Sequence, residues 1–366
     1  MERRTLIYFS IASFVIVFLI SLLYFVFAGG PSASPEKVSS LQECNVLSYS
    51  NENALNFVFF GTEAEAKKYS EYLIKTVPYS EFENNLNFFY IDDFDVSSEC
   101  RRYKDIALLC ESRTLIKKAG SCPNDYIVVL KEESQSIRSS SYQNILSINS
   151  IHPLTVLIHE LGHSLGKFAE EYVADTARIP SGSKNCVSSC DKFGENAQGC
   201  FQGCSRADYF RSVENGVMRT LTPSSGIMYG AFNEKILREK INSDLSSLIS
   251  KITGSISRVT GRAVDDQKIC ADENYLLEAY SYDEQKGLKL IDSELVEGCY
   301  GSGSMFPGEF KYNLLDKDGN PLIEKSFDIN FHTIGPGDEV DGYIQIEEEN
   351  FEEDFENFLL KVPISE

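Results

Sequence analysis

Residues 159–172 read HELGHSLGKFAEEY, and their spacing is that of a metal site. On a helix, residues four apart stand on one face, one turn up. His159 and His163 can therefore bring their ring nitrogens to one zinc ion. Glu160, one position round from His159, can reach a water held by that ion. The metal lowers the pKa of such a water toward about 7, so Glu160 can take its proton during attack on a carbonyl and then hand it to a leaving amine. His-Glu-x-x-His is thus a hydrolytic pattern. Chance surface residues could also spell it, but the context is against that. Leu154 to Ile158 are apolar apart from Thr155, which implies a buried helix, and two of the chain's four histidines fall here.

Two histidines leave the site short of a protein ligand. Position 169, where a third His would continue the pattern, is Ala169, and two acids follow it, Glu170 and Glu171. On a straight helix Glu170 would lie about 16 Å along the axis from His159, out of reach. Gly162 and Gly166 are unexpected inside a helix, where each costs about 1 kcal/mol relative to Ala. Gly166 fits a helix end instead. A turn there returns the following residues to the metal, and either Glu170 or Glu171 can then be the third ligand. The other acid would support the site from outside.

These residues need elements to hold them. The motif helix starts near Pro153, which suits a first-turn position. Ahead of it, strands are expected at Leu55–Phe60, Leu86–Ile91, Tyr126–Leu130 and near Ile145–Ile148. A helix is expected over 63–76, with Ala66, Tyr69, Leu73 and Val77 at helical spacing, Thr62 as N-cap and Pro78 as stop. Residues 101–118 read as a second helix. The alternation over 50–166 makes this an α/β layer structure. Residues 180–230, rich in Gly, Ser, Asn and Cys, read as a loop region pinned by disulfides. A helix returns at 232–252, and the polar stretch 253–268 marks a boundary. From 269 onward, short alternating strands with turns such as Asp318-Gly319-Asn320-Pro321 imply a small all-β domain. The acidic run 347–356 reads as a solvated loop between strands, with calcium binding as the alternative.

HELGHSLGKFAEEY resembles the motif of the immunoglobulin A peptidase family of metalloendopeptidases, approximately HExGHxxGxLADEY, within the metzincin-like zinc peptidases. FVFFGT at 57–62, VPYSEFENNLNFFYID at 77–92, DYIVVL at 125–130, RSVENGVMRT from Arg211 and GAFNEKIL at 230–237 are similar to further stretches of that family. The likeness covers about 50–240. It implies a metzincin-like α/β catalytic domain with one catalytic zinc and endopeptidase activity. It also implies a methionine beneath the metal: Met218 in NGVMRT, with Met228 in SGIMYG as rival. In such sites a tyrosine often stabilises the oxyanion; Tyr229 is the candidate, with Tyr209 and Tyr172 behind it. Two departures stand out. Glu170 replaces the usual Asp, and Arg138 to Tyr142, RSSSY, lacks a Gly-rich loop near the substrate edge, so specificity need not match the family's. His152 and His332 are expected to be structural or exposed. The strand before the motif helix is expected to align an extended substrate by backbone pairing.

The whole chain narrows the function class. Its 366 residues carry 55 acids against 34 bases, a net charge of -21. Such a field repels nucleic acid and anionic lipid, so no nucleic-acid partner is expected. Residues 6–28, LIYFSIASFVIVFLISLLYFVFA, hold no charge and are long enough to span a bilayer. Arg3 and Arg4 would keep the N-terminus cytoplasmic. A signal peptide cleaved after Ala28 is the rival, and either form exports the remainder. Ten cysteines, all beyond this run, are an even set suited to disulfides. Cys186 with Cys190 and Cys200 with Cys204 could alternatively hold a structural zinc. The expected organisation is an anchor at 1–28, a stalk at 29–40, a zinc peptidase domain at 41–255 and a β-rich domain at 262–366. The expected function is hydrolysis of peptide bonds outside the cell, with zinc-bound water activated by Glu160. Its partners would be a protein or peptide substrate and, through the N-terminal helix, a membrane. The alternative is a catalytically inactive surface binding or adhesion protein on the same fold.

Overall fold

Alternate side chains of the central strands enter two different cores, which is why these strands read as almost unbroken apolar runs. The computed structural model describes residues 44–364, apart from 93–94, 174–178, 181, 197, 224–226, 255–273, 284–286, 300–309, 316–317, 328–330, 341–342 and 348–356. In chain order the strands are β1 (Asn45–Ser48), β2 (Leu55–Phe60), β3 (Leu86–Ile91), β4 (Arg101–Tyr103), β5 (Ala107–Leu109), β6 (Tyr126–Lys131), β7 (Ser139–Tyr142) and β8 (Ile145–Asn149). They continue as β9 (Phe201–Cys204), β10 (Arg206–Arg211), β11 (Asn274–Asp283), β12 (Gly287–Glu297), β13 (Phe310–Leu315), β14 (Pro321–Phe327), β15 (Phe331–Val340), β16 (Tyr343–Glu347) and β17 (Asn357–Pro363). The helices are α1 (Glu63–Ile74), α2 (Arg113–Ala119), α3 (Thr155–Ser164) and α4 (Ala231–Gly254).

The main sheet is mixed, in the order β1-β3-β2-β6-β8-β7-β15-β16. Strands β3, β2, β6 and β8 run parallel, and β1, β7, β15 and β16 join antiparallel. Leu55, Phe57 and Phe59 of β2, with Tyr126, Val128 and Leu130 of β6, face a first core built with α1, α3 and α4. Val58, Phe60, Ile127 and Val129 face a second core with α2. Burying each such side chain contributes about 1.5–3 kcal/mol. The α/β expectation therefore holds at the level of a mixed sheet with few helices. The segment after 273 is all β among the described residues. Its Tyr275, Leu277 and Val296 pack into the second core, and its β15 pairs with β7.

Strands β2, β3, β6 and β8 lie where their patterns placed them. Helix α1 starts at Thr62, whose hydroxyl accepts from the Glu65 N–H while Glu65 accepts from the Thr62 N–H, a capping box. The helix expected over 101–118 is corrected. That stretch holds the hairpin β4–β5 and then the short α2. Lys104 and Asp105 take left-handed φ values of 47° and 62°, and the Cys100–Cys110 disulfide closes the base; a helix accommodates neither.

Four disulfides are formed, Cys44–Cys122, Cys100–Cys110, Cys186–Cys204 and Cys190–Cys200, and Cys299 is also disulfide-bonded. The alternative of a structural zinc on Cys186, Cys190, Cys200 and Cys204 is thereby displaced by two nested bridges. The anchor at 1–28 and the stalk at 29–40 lie outside the described residues. The single-pass membrane placement is overturned on what is described: no helix there is long and apolar enough to cross a membrane. The disulfides are bonds of an oxidising compartment and fit an extracellular protein.

Candidate metal centre

Helix α3 is a core helix: every residue from Val156 to Ser164 is buried. It begins beside Pro153, whose carbonyl accepts from the Val156 N–H at 2.9 Å. Both glycines have packing reasons. A Cβ on Gly162 would collide with the sulfur of Met218, so Gly162 lets that side chain lie against the helix. A Cβ on Gly166 would meet the Gly162 carbonyl oxygen at 2.8 Å and the Phe168 ring at 2.8 Å. The turn after the helix is as expected, but the left-handed residue is Lys167 (φ 54°), while Gly166 allows the close approach. Phe168 donates its N–H back to the Gly162 carbonyl at 3.0 Å, and the chain reverses.

That reversal delivers Glu170. Its Oε1 lies 2.7 Å from His163 Nε2 and 3.3 Å from His159 Nε2, and the two Nε2 atoms are 2.8 Å apart. Each histidine donates its Nδ1–H to a backbone carbonyl at 2.7 Å, His159 to Val217 and His163 to Phe168. These bonds fix the tautomer and leave the Nε2 lone pairs aimed at one point. Two facing lone pairs at that distance require a proton or a cation between them. Zinc ligand atoms at ~2.0–2.1 Å from the ion stand about 3.3 Å apart, which the His159–Glu170 pair at 3.3 Å matches while the pairs at 2.7 Å and 2.8 Å are tighter. His159, His163 and Glu170 are a group that could hold a metal ion, and all three are buried. The donor set of two imidazoles and a carboxylate fits such an ion.

The electrostatics of the group without metal agree. Burial opposes charge on His163, but Glu170 beside it outweighs burial and holds the imidazole up at about 9. Burial would likewise raise Glu170, yet the two imidazoles hold its carboxyl well below the ordinary range. His159 is pulled down by burial, with Glu170 opposing. Glu170 and the two imidazoles thus favour each other's charged forms against burial, and His159 is opposed by His163. Burial pushes Glu160 up to about 8; His163 and the Ser141 hydroxyl oppose this rise and Glu170 adds to it. Neither Glu160 oxygen makes a hydrogen bond of good geometry among the described residues, although the Ser141 hydroxyl is near enough to act on its pKa.

The structure brings Glu170 to the histidines and turns Glu171 away. The Glu171 carboxylate accepts from Asn233 at 2.7 Å and Asn185 at 3.2 Å, and its N–H donates to the Met218 carbonyl at 2.9 Å. Burial raises its carboxyl to about 7 against those amide donors. Of the two methionines, Met218 is fully buried against Gly162, while Met228 is half-buried and offers its carbonyl to the Val217 N–H at 2.6 Å.

Tyr229 departs from the oxyanion expectation. Its hydroxyl donates to the Ile158 carbonyl, in the backbone of α3, and lies 2.9 Å from the Tyr79 hydroxyl. Burial, with Tyr79 adding to it, raises the phenol well above its ordinary value. Tyr229 is placed as a support of the helix. Tyr209 packs beside Cys186 and Cys204, and Tyr172 packs against the first core. His152 is structural, as expected, contacting Ser139 and the Gln135 carbonyl. His332 stands opposite Ser141 in the β15–β7 register. The strand before the motif helix, β8, is paired on both sides by β6 and β7, so it has no free edge for an extended peptide. The outer edge of β7 is paired by β15.

Sequence reasoning missed Asn185, Ser205 and Asn233, which hold the Glu170 segment and Glu171. Asn233 stood in the GAFNEKIL stretch already singled out; Asn185 and Ser205 sit next to cysteines, the one signal that marked them. The Val217 and Phe168 carbonyls carry no side-chain signal. No protein-family model matches this chain, and no curated protein matches it.

Proposed function

We propose that this chain is a zinc-dependent endopeptidase that hydrolyses peptide bonds outside the cell. The observation that carries the reading is the convergence of His159 Nε2, His163 Nε2 and Glu170 Oε1, with the buried carboxyl of Glu160 beside them. The resemblance of HELGHSLGKFAEEY to the immunoglobulin A peptidase motif supports it. A zinc ion held by these three residues would supply Lewis acidity, lowering the pKa of water at the site to about 7 and polarising a carbonyl. Glu160 takes the proton of the attacking water on its carboxylate and passes it to the leaving amine. A dication beside Glu160 favours its carboxylate form, offsetting the burial that raises it. The Nδ1–H bonds to Val217 and Phe168 keep both imidazoles oriented, and Met218 floors the helix beneath them.

The test is zinc content and cleavage of a broad peptide library by the wild type and by Glu160→Gln. Both proteins are expected to hold one zinc per chain, with cleavage reduced by about 10²–10⁴-fold in the variant. Undiminished cleavage by Glu160→Gln rejects the mechanism. Zinc bound by a wild type that cleaves nothing favours the inactive binding protein instead.

A further inference from the structure

Two of the three ligands sit on a core helix, but Glu170 sits on a short irregular segment outside the main sheet. Besides Glu171, which reaches the Met218 carbonyl and Asn233, that segment is held by two arms of the loop region. On one arm, Asn185 accepts from the Ala169 N–H at 2.8 Å and donates to the Ala169 carbonyl at 2.7 Å. On the other, Ser205 donates its N–H to the Tyr172 carbonyl and its hydroxyl to the Glu170 carbonyl, both at 2.8 Å. Cys186 follows Asn185, Cys204 precedes Ser205, and they are bonded to each other. Their sulfurs lie 3.3 Å and 3.8 Å from the Glu170 carbonyl oxygen. The arms are also joined by the Val187–Phe210 backbone bridge, and the loop between them carries Cys190–Cys200.

We propose that the metal site is closed oxidatively: the Cys186–Cys204 disulfide is the clasp that sets Glu170, and the chain holds its metal tightly only once that bond has formed. The proposal rests on the metallopeptidase reading above. Closing the clasp oxidises two thiols to one S–S bond; an external disulfide accepts the two electrons and two protons and leaves as a dithiol. Cys186 and Cys204 are 4% and 0% exposed, so thiol exchange in the folded chain is blocked. The bond therefore closes during folding and is not a reversible switch of the finished protein. A chain still in a reducing compartment would have both histidines in place but an unfixed third ligand. Its hydrolytic site would become effective only after export.

The experiment uses the full chain and zinc alone, with affinity read by competition against a chromogenic chelator. The Cys186→Ser/Cys204→Ser double variant is compared with Cys190→Ser/Cys200→Ser, which removes the neighbouring bridge and leaves the arms clasped. The first is expected to lose about 10–100-fold in zinc affinity, as for loss of an outer-shell support, and the second to stay within about threefold. Equal affinity in the first variant and the wild type overturns the proposal, as does an equal loss in both variants. If the first variant lacks the near-ultraviolet dichroism of the wild type, partial opening of the wild type decides. A dithiol is applied in graded denaturant, the thiols are alkylated, and opened bridges are mapped against zinc loss. Zinc release must follow Cys186–Cys204; zinc retained in molecules with that bridge open overturns the clasp. An oxidised wild type that binds no zinc at all overturns the metal reading together with this one.

Discussion

Each acid of the AEEY stretch has its own task. Glu170 gives its carboxylate to the histidines, and Glu171 spends its own on Asn185 and Asn233. Glu170→Ala is therefore expected to lose zinc. Glu171→Ala is expected to keep it with affinity reduced about 10–100-fold, both read by chelator competition. The Tyr229 hydroxyl supports the Ile158 carbonyl, so Tyr229→Phe should lower unfolding stability by about 1–3 kcal/mol in denaturant titration. It should leave kcat within a few-fold; a loss of two orders of magnitude at unchanged stability would restore the oxyanion role. Gly162→Ala forces a methyl against Met218 and should cost about 1–3 kcal/mol. Gly162 looked out of place in the sequence because its reason is a contact with Met218, 56 residues away by their numbering.

At the scale of elements, the strands were legible because a sheet buried on both faces writes itself as an apolar run, as in LNFVFF and YIVVL. The helix α1 was legible through its apolar spacing and Thr62 as N-cap, purely local signals. Residues 101–118 were not, since the hairpin there depends on Lys104 and Asp105 in left-handed conformations and on a disulfide, neither visible as periodicity. That bridge borders the second core rather than the metal group. Cys100→Ser/Cys110→Ser is expected to lower stability by about 2–3 kcal/mol, from the entropy of a loop of this length, with zinc content unchanged.

For the whole molecule, pH should act through buried and half-buried acids as well as through the net charge of -21. Glu111 accepts from the Leu359 N–H at 3.3 Å, tying β17 to the stretch before α2. Burial raises its carboxyl to about 8 from an ordinary 4.5, with Leu359 and Arg101 opposing. The folded chain then binds more protons than the unfolded one between those values. Its contribution to stability is present below about 4.5 and is lost as pH rises toward 8. Glu160 and Glu171 act in the same direction in the metal-free protein. Denaturation midpoints of the metal-free chain should therefore fall from pH 5 to pH 8, and less steeply in Glu111→Gln. An identical slope in the variant would place the effect in the other acids or in general charge repulsion.

The sequence by itself determined what local chemistry can write: the His-Glu-x-x-His face, the need for a turn after it, the central strands, and an even set of cysteines suited to pairing. Only the tertiary structure decided which acid joins the histidines, which methionine lies under the helix, where the Tyr229 hydroxyl goes, and that β8 has no free edge. The physical reason is range. Periodicity and capping act within a few residues, whereas a ligand is chosen by the direction of a side chain after the chain has reversed. That direction is set by Asn185, Ser205, Met218 and Asn233, which fold back onto the segment from further along the chain.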